Sequence, residues 1–334
     1  MLQLANHHIF KYSHVVLLCS VPCLIFSYFS CSDLSPVETP LSVCDQNSST
    51  APLLNKERFG FYAPELYSNF SGHLDSLTKT FGAPPAYLLW FLQIDDPFPT
   101  EKTDYLTARG IRMVISMNLK SLKIDQAWND TLLSEIIQGS WDSTLIVFAL
   151  AASASGSILY LRFGYEMNGD WFSWGGKPAA FVSAWQHAHA LFVKAGASNV
   201  RWIFAPNVLW ENRTAQDDLY RYYPGDSIVD IIGLDGYNYG DSFDQWHSWE
   251  SFPHIFGTSL KAIEHLGKPI WITEAGCPSD PRRPEWLNTL FSFMDDNPCV
   301  EAILWFNAQK TDEPDFRIES DRVSLGVLRA WLQK

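Results

Sequence analysis

Two glutamates in apolar surroundings have the positions best suited to chemistry in this 334-residue chain. Glu166 lies in RFGYEMNGDW (residues 162–171), directly after ILYL (158–161), a predicted buried strand. Glu274 lies in WITEAG (271–276), at the end of another apolar run. A carboxylate that ends a buried strand among aromatic rings indicates a reaction site more than a solubilising surface.

Eight short apolar runs with little alternation are predicted to be the strands that position these glutamates. Continuous apolar runs are typical of strands covered on both faces, as in a parallel sheet flanked by helices. The runs span residues 60–63, 86–94, 111–117, 158–165, 200–206, 229–237, 269–276 and 300–307. Helices are predicted between and after them at 71–81, 131–137, 181–196, 257–267, 283–296 and 324–333, with a weaker candidate at 100–108.

This alternation predicts an α/β fold, a (β/α)8 TIM barrel forming a single catalytic domain over residues 58–334. An open doubly wound sheet is the alternative. It would require a glycine-rich phosphate turn after an early strand, and the sequence contains none.

A TIM barrel carries its active site at the carboxyl ends of its strands. Glu166 follows the fourth predicted strand and Glu274 ends the seventh, with Asp235 and Tyr237 at the end of the sixth. Two carboxylates facing one another among aromatic rings suit glycoside hydrolysis. One must be protonated to donate to the leaving oxygen, and the other must be ionised to attack the anomeric carbon.

The composition excludes several partners. The formal net charge of −13 argues against nucleic acid and against an anionic membrane surface. No CxxC spacing indicates a metal site, and no cofactor or obligate protein partner is implied. The 14 tryptophans suit flat ligands such as sugar rings as well as core packing.

Four segments carry a resemblance to a known family, glycoside hydrolase family 26, a group of retaining (β/α)8 enzymes dominated by β-mannanases. They are residues 162–174, 196–207 (GASNVRWIFAPN), 235–238 (DGYN) and 305–307 (WFN). The resemblance extends from about residue 58 to the C-terminus. It implies that Glu166 is the acid/base, that Glu274 is the nucleophile, and that the substrate is a β-linked polysaccharide.

The same resemblance implies roles for further side chains around the two glutamates. Tyr237 matches a tyrosine that hydrogen-bonds the nucleophile. Trp171 and Trp305 match aromatic residues that stack on sugars, and Arg162 matches an arginine beneath the catalytic residues. We therefore expect these four to belong to the substrate-binding site.

Two positions depart from the pattern of the family's β-mannanases. Tyr165 stands before the acid/base, and Asn118 follows the third strand, where histidines are expected. Both positions belong to the region that senses the sugar beside the scissile bond. The expected substrate is β-1,4-mannan, with mixed-linkage β-glucan or β-xylan as alternatives within the family. A barrel that binds carbohydrate without turnover is a further alternative.

The N-terminal segment is predicted to direct export. Residues 15–29 are apolar or small, follow Lys11 and precede a polar stretch, which is typical of a secretory signal over 1–32 and a linker over 33–57. A retained membrane anchor, or a lipid anchor at Cys31, is the alternative. Glycosylation sequons at Asn47, Asn69, Asn129 and Asn212 are in keeping with an extracellular location.

The six cysteines include Cys277, just past the seventh strand, and Cys299, just before the eighth. In a barrel these positions lie at opposite ends of neighbouring strands. Their separation exceeds the roughly 7 Å that a disulfide allows between Cα atoms. We therefore expect that Cys277 and Cys299 do not pair with each other.

Overall fold

The computed structural model describes Val43 and residues 53–123, 126–209, 219–243, 247–311 and 313–334. The predicted signal at 1–32 lies outside the described residues, as does most of the predicted linker at 33–57. The sequons at Asn47 and Asn212 and the side chain of Asn129 also lie outside them. Asn69 is described and exposed, and its side chain accepts a hydrogen bond from the Gly72 amide to cap a helix.

Eight parallel strands close into one barrel in chain order, with the last strand pairing with the first. The strands are β1 Phe59–Tyr62, β2 Tyr87–Gln93, β3 Arg112–Asn118, β4 Leu159–Phe163, β5 Val200–Phe204, β6 Ile231–Tyr237, β7 Ile270–Gly276 and β8 Val300–Phe306. Most of their residues are buried, as the continuous apolar runs predicted. The predicted (β/α)8 barrel is confirmed.

Helices surround the barrel. Those in the described residues are α1 Phe70–Phe81, α2 Thr100–Thr107, α3 Gln126–Ile137, α4 Asp142–Ser155, α5 Pro178–Lys194, α6 Phe252–Ile263, α7 Arg283–Asp296 and α8 Arg322–Leu332. Helix α6 begins five residues before the predicted start, because Ser251 caps it by accepting a hydrogen bond from the His254 amide and proline follows at the first turn.

Helix α4 was not predicted. Its sequence, DSTLIVFALAASAS, is apolar around most of its circumference and lacks the helical periodicity on which the other predictions rest. Within the described residues no single helix is long and apolar enough to span a membrane. The segments Asp130–Ile137 and Asp142–Ser155 pass the length and composition test only as a pair bent by 77°.

At the amino ends of the strands, buried polar side chains bind backbone groups. Arg58 donates from Nη2 to the carbonyls of Met294 and Val300, each at 2.6 Å. Asn199, just before β5, donates to the carbonyl of Ala152 at 2.8 Å and to that of Ser157 at 2.7 Å. These bonds close the base of the barrel by satisfying carbonyls at the ends of helices and strands.

The two cysteines at opposite ends of β7 and β8 do not pair with each other. Cys277 is a buried free thiol, and Cys299 is disulfide-bonded. The expectation drawn from barrel geometry is therefore confirmed.

Candidate active site

The loop after β4 holds Glu166 in an unusual backbone conformation. Glu166 has a φ of +51°, the one non-glycine residue with positive φ in the described part of the chain. Gly164, two residues earlier, has a φ of +66°, and a Cβ there would lie 2.6 Å from Leu119 Cδ1. The Glu166 amide donates to the carbonyl of Ala205 at 2.7 Å, which holds the turn. Such a conformation costs about 1–3 kcal/mol and is retained mainly where function requires it.

Each carboxyl oxygen of Glu166 accepts a hydrogen bond. Asn207 Nδ2 donates to Oε1 at 2.9 Å, and Trp171 Nε1 donates to Oε2 at 2.7 Å. The side chain is 8% exposed, and burial, followed by the charge of Glu274, raises the pKa of Glu166 to about 7. Glu166 is therefore able to hold a proton near neutral pH and also to release it.

Glu274, near the end of β7, is 4% exposed and has two donors. Arg162 Nη1 donates to Oε1 at 2.6 Å, and the Tyr237 hydroxyl donates to Oε2. Burial and then the charge of Glu274 raise the pKa of Tyr237 well above its usual range, so the phenol keeps its proton. A cation and a hydroxyl aimed at its two oxygens are suited to a carboxylate anion.

Arg162 lies beneath Glu274 with no exposed surface, and Asp235 is equally buried. Nη2 of Arg162 pairs with Asp235, and Nη1 of Arg162 also donates to Ser116 Oγ at 2.6 Å. Burial alone would lower the pKa of Arg162, but the negative charges of Asp235 and Glu274 outweigh burial and raise this pKa. The expectation that Arg162 binds substrate is corrected, because the guanidinium faces carboxylates and reaches no solvent. It holds Glu274 in place.

The two tryptophans expected to stack on sugars have different surroundings. Trp171 is 50% exposed and lies beside Glu166, so the structure brings it to the site. Trp305 is 1% exposed, donates from Nε1 to the Phe316 carbonyl at 2.9 Å, and packs edge-on against Trp286 of α7. This corrects the prediction for Trp305, which faces the helical layer and offers no face to a ligand.

The next residue of β8, Phe306, points to the other side of the strand, as successive strand residues do. It stacks on Tyr62 at 4.8 Å between ring centroids and contacts Tyr237 at 5.6 Å. An aromatic ring therefore does lie beside Tyr237, the hydrogen-bond partner of Glu274, one residue from the predicted position.

Tyr165 and Asn118 form a pair at the ends of β4 and β3. The Tyr165 hydroxyl donates to Asn118 Oδ1 at 2.9 Å, and its ring lies 4.9 Å from the Arg162 guanidinium carbon. Trp174 is buried behind them and donates to the Tyr165 carbonyl at 2.8 Å. Tyr165 therefore belongs to the site, and Trp174 supports it from the core.

Two functional residues were missed by reasoning from sequence. Asn207 follows β5 and donates to the Glu166 carboxyl, and Asn168 follows Glu166 by two positions and is hydrogen-bonded to the backbone of Asn207. A polar side chain directly after the fifth strand was the available signal for Asn207. Among the described residues, no group of three or more His, Cys, Asp and Glu side chains is placed to hold a metal ion.

Residues 154–265 match the family model of glycosyl hydrolase family 26. Endoglucanase H of Acetivibrio thermocellus is 29% identical over 248 residues, which cover 71% of this chain and 27% of that protein. A mannan endo-1,4-beta-mannosidase of Bacillus subtilis is 30% identical over 122 residues, covering 34% of this chain and 28% of that protein. The chain thus spans about a quarter of the length of these curated relatives.

Solved structures share the fold. The GH26 beta-mannanase BoMan26A of Bacteroides ovatus superimposes with a TM-score of 0.63 at 20% identity, over 83% of this chain and 90% of that one. The catalytic domain of a Bacillus sp. JAMB-750 GH26 endo-beta-1,4-mannanase gives a TM-score of 0.62 at 17% identity, over 85% and 90% of the two chains. The resemblance inferred from the sequence motifs is confirmed by these matches, and the chain is similar to members of glycosyl hydrolase family 26 over residues 154–265 and in its fold.

Proposed function

We propose that this protein is a retaining endo-β-glycosidase that hydrolyses a β-linked polysaccharide, with β-1,4-mannan as the first candidate. The observation that carries the proposal is the contrast between two carboxyl groups at the mouth of one barrel. Burial and a neighbouring charge raise the pKa of Glu166 to about 7, whereas Glu274 is held by a guanidinium and a phenol. Such a pair supplies one proton donor and one anionic nucleophile.

In the first step, Glu274 attacks the anomeric carbon and the bond to the leaving oxygen breaks. Glu166 gives its proton to that oxygen, so the leaving sugar departs as a neutral alcohol. In the second step, Glu166 takes a proton from water as the water oxygen attacks the same carbon. The bond between that carbon and Glu274 breaks as the bond to the water oxygen forms, and the carboxylate returns to its hydrogen bonds with Arg162 and Tyr237.

Two side chains are proposed to contact the sugars. Trp171 is half exposed and offers an indole face beside the acid/base, and sugars stack on such faces through their apolar C–H surfaces. Tyr165 follows β4 and is hydrogen-bonded to Asn118 at the end of β3, and its hydroxyl is proposed to recognise the sugar at the scissile bond.

The names of the relatives support two substrates. Mannan endo-1,4-beta-mannosidases recur among them, including the Bacillus subtilis protein, which favours β-mannan. The match to Endoglucanase H covers more of this chain, 71% against 34%, and favours a β-glucan as the second candidate. The Tyr165–Asn118 pair stands where family mannanases usually carry histidines, which also supports the second candidate.

The experiment is a panel of β-mannan, mixed-linkage β-glucan, β-xylan and cellulose, with reducing ends measured for the wild type and two variants. Glu274→Ala removes the nucleophile, and we expect a loss of at least about 10³-fold. Glu166→Gln removes the acid, and we expect a loss of about 10²–10⁴-fold on polysaccharide. Glu301→Gln is the control, because this glutamate also lies on a barrel strand but near its amino end.

The substrate that the wild type hydrolyses fastest decides between mannan and glucan. Proton NMR of the first product should show the β-anomer, as retention requires. A wild-type protein that binds but cleaves none of these polysaccharides would make the chain a carbohydrate-binding barrel. Near-wild-type turnover in either glutamate variant would remove that residue from the mechanism.

We also propose that the protein is exported. The apolar run at 15–29 supports this, and so does the disulfide at Cys299, because disulfides persist mainly in oxidising compartments. Cell fractionation and N-terminal sequencing of the mature protein test the proposal, and an intact N-terminus in the membrane fraction would indicate an anchor instead.

A further inference from the structure

Four hydrogen bonds join the loop after β4 to the loop after β5. The first runs from the Glu166 amide to the Ala205 carbonyl at 2.7 Å. The second and third form a reciprocal pair: the Asn207 amide donates to Asn168 Oδ1 at 2.9 Å, and Asn168 Nδ2 donates to the Asn207 carbonyl at 2.8 Å. The fourth runs from Asn207 Nδ2 to Glu166 Oε1 at 2.9 Å. Together they close a ring that contains the proposed acid/base.

The reciprocal pair takes the place of a strand. The regular pairing of β4 with β5 ends before this point, at Leu161 and Trp202. Beyond it, the amide group of the Asn168 side chain supplies the donor and the acceptor that a neighbouring strand would have supplied to residue 207. Asn168 is only 8% exposed, so its two bonds to Asn207 are shielded from competition by water.

The other side of residue 207 is held by β6. The Asp235 amide donates to the Pro206 carbonyl at 3.0 Å, and the Val208 amide donates to the Asp235 carbonyl at 2.9 Å. With β6 on one side and Asn168 on the other, the backbone around Asn207 is held by hydrogen bonds from both sides. Its side-chain amide is therefore aimed at Glu166 Oε1 before any substrate arrives.

We propose that Asn168 is a positioning residue for the reaction, which fixes the Glu166 carboxyl by holding the backbone of Asn207. This inference rests on the proposed function of Glu166 as acid/base. Asn168 is hydrogen-bonded to the backbone of Asn207 and acts on Glu166 through that asparagine. Without the Asn168 side chain, the Asn207 side chain is no longer held towards Glu166. The Glu166 carboxyl then loses its fixed orientation and a hydrogen-bond donor that stabilises its anion.

The same two strands offer a matched control at their other end. Asn199 precedes β5, and its side-chain amide bridges the carbonyls of Ala152 and Ser157, as Asn168 bridges backbone groups after β5. Asn199→Ala and Asn168→Ala each remove one bridging amide between the β4 and β5 regions. A purely structural role predicts the same consequences for both variants.

The first test compares kcat/KM on two substrates that differ in their leaving group. The hydrolysed polysaccharide needs a proton on its leaving oxygen, whereas a 2,4-dinitrophenyl β-glycoside of the same sugar does not. We expect Asn168→Ala to lower kcat/KM on the polysaccharide on the order of 10²-fold, and on the dinitrophenyl glycoside only a few-fold. Asn199→Ala should change both by the same factor. Equal losses on both substrates in Asn168→Ala, or no loss, would overturn the proposal.

The second test needs no turnover. The Glu166 carboxyl can be titrated in the free protein by carbon-13 NMR, with the Glu166→Gln variant to assign its signal. We expect Asn168→Ala to raise the pKa of Glu166, because a donor to the anion is weakened, and Asn199→Ala to leave it unchanged. The other titratable and charged groups around Glu166 are the same in every variant: Arg162, Tyr165, Asp235, Tyr237, Tyr239 and Glu274.

The two readouts separate this inference from the proposed function. A wild-type protein that hydrolyses no polysaccharide contradicts the proposed function, and the titration still shows whether Asn168 acts on Glu166. An unchanged pKa of Glu166 in Asn168→Ala overturns the positioning role even where the wild type is an active glycosidase.

Discussion

Two buried arginines stand at opposite ends of the barrel, and their hydrogen-bond partners differ in charge. Arg58, at the amino ends of the strands, donates to the neutral carbonyls of Met294 and Val300. Burial lowers the pKa of Arg58, and the nearby carboxylates only partly offset this. Arg162, towards the carboxyl ends, is bound by two carboxylates that raise its pKa. Arg58 satisfies backbone carbonyls, whereas Arg162 neutralises buried carboxylates at the candidate active site.

The difference extends to the other polar side chains of the two ends. At the amino ends Asn199 binds backbone carbonyls, and this adds stability. At the carboxyl ends side chains bind one another around the two glutamates, as Thr273 binds Asp235 and Tyr165 binds Asn118. Because these networks are buried, they hold charges in place before a substrate enters, which is the arrangement that lowers a reaction barrier.

Replacing the two arginines by methionine should give the largest contrast. Arg162→Met leaves Asp235 and Glu274 buried without a counter-charge, which we expect to cost about 3–5 kcal/mol of unfolding free energy. It should also lower kcat/KM per folded molecule by about 10²–10³-fold, because the nucleophile loses its charged donor. Arg58→Met removes the guanidinium donor from the Val300 carbonyl and leaves the Met294 carbonyl with the Asn297 amide as a donor, at about 1–3 kcal/mol, with kcat/KM unchanged.

Urea denaturation followed by circular dichroism measures both stabilities, and activity is normalised to the folded fraction. Unchanged kcat/KM in Arg162→Met would mean that the carboxylates are arranged without it. A loss of kcat/KM in Arg58→Met, once folding is accounted for, would mean that the two ends are not independent.

The two described cysteines allow a smaller contrast of the same kind. Cys299, at the amino end of β8, is disulfide-bonded, and Cys277, past the carboxyl end of β7, is a buried free thiol. Cys299→Ser should lower the unfolding free energy by about 2–4 kcal/mol, because the unfolded chain loses a cross-link. Cys277→Ala should cost about 1 kcal/mol through lost packing.

Thermal melts with and without dithiothreitol check this prediction. Reductant should bring the wild type to the stability of Cys299→Ser and leave that variant unchanged. A wild-type melting temperature that is insensitive to reductant under unfolding conditions would contradict a stabilising role for the disulfide.

The barrel was predictable because its strands are buried on both faces, which gives eight short continuous apolar runs in regular succession along the sequence. Helix α4 was not predicted, because its apolar residues are not confined to one face. Val147 and Leu150 are 67% and 51% exposed, so apolar residues lie on its outer face as well, and no helical period results. Helical periodicity in a sequence reveals a helix only where one face is apolar and buried and the other is polar and exposed.

The positions of the two glutamates at the carboxyl ends of β4 and β7 were predictable from the apolar runs that lead to them, whereas the details of the site depend on a single-residue register. Trp305 and Phe306 are neighbours on β8, and only the structure shows which one faces the mouth of the barrel, since a shift of one residue exchanges the two faces. The Asn168–Asn207 pair joins residues 39 positions apart. No local pattern in the sequence connects them.

The smallest expected contrast between the two ends is in how their carboxyl groups make the unfolding free energy depend on pH. The pKa of Glu166 is raised from 4.5 to about 7, so the folded state retains a proton that the unfolded state releases. This contribution to stability is fully present below pH 4.5 and is lost as the pH rises towards 7, by up to roughly 3 kcal/mol. Relative to the wild type, Glu166→Gln should therefore gain stability across this interval.

Asp295, at the amino end, should behave in the reverse way. Burial alone would raise its pKa, but hydrogen bonds from Trp331 and Lys334 outweigh burial and lower it below 3.8. Its contribution is present above pH 3.8 and is lost as the pH falls, so Asp295→Asn should cost stability at pH 7 and progressively less below pH 4. Urea denaturation from pH 2.5 to 8 measures both differences. Two curves that slope in the same direction would contradict the division between an end that stores a proton for a reaction and an end that keeps its carboxylate ionised for stability.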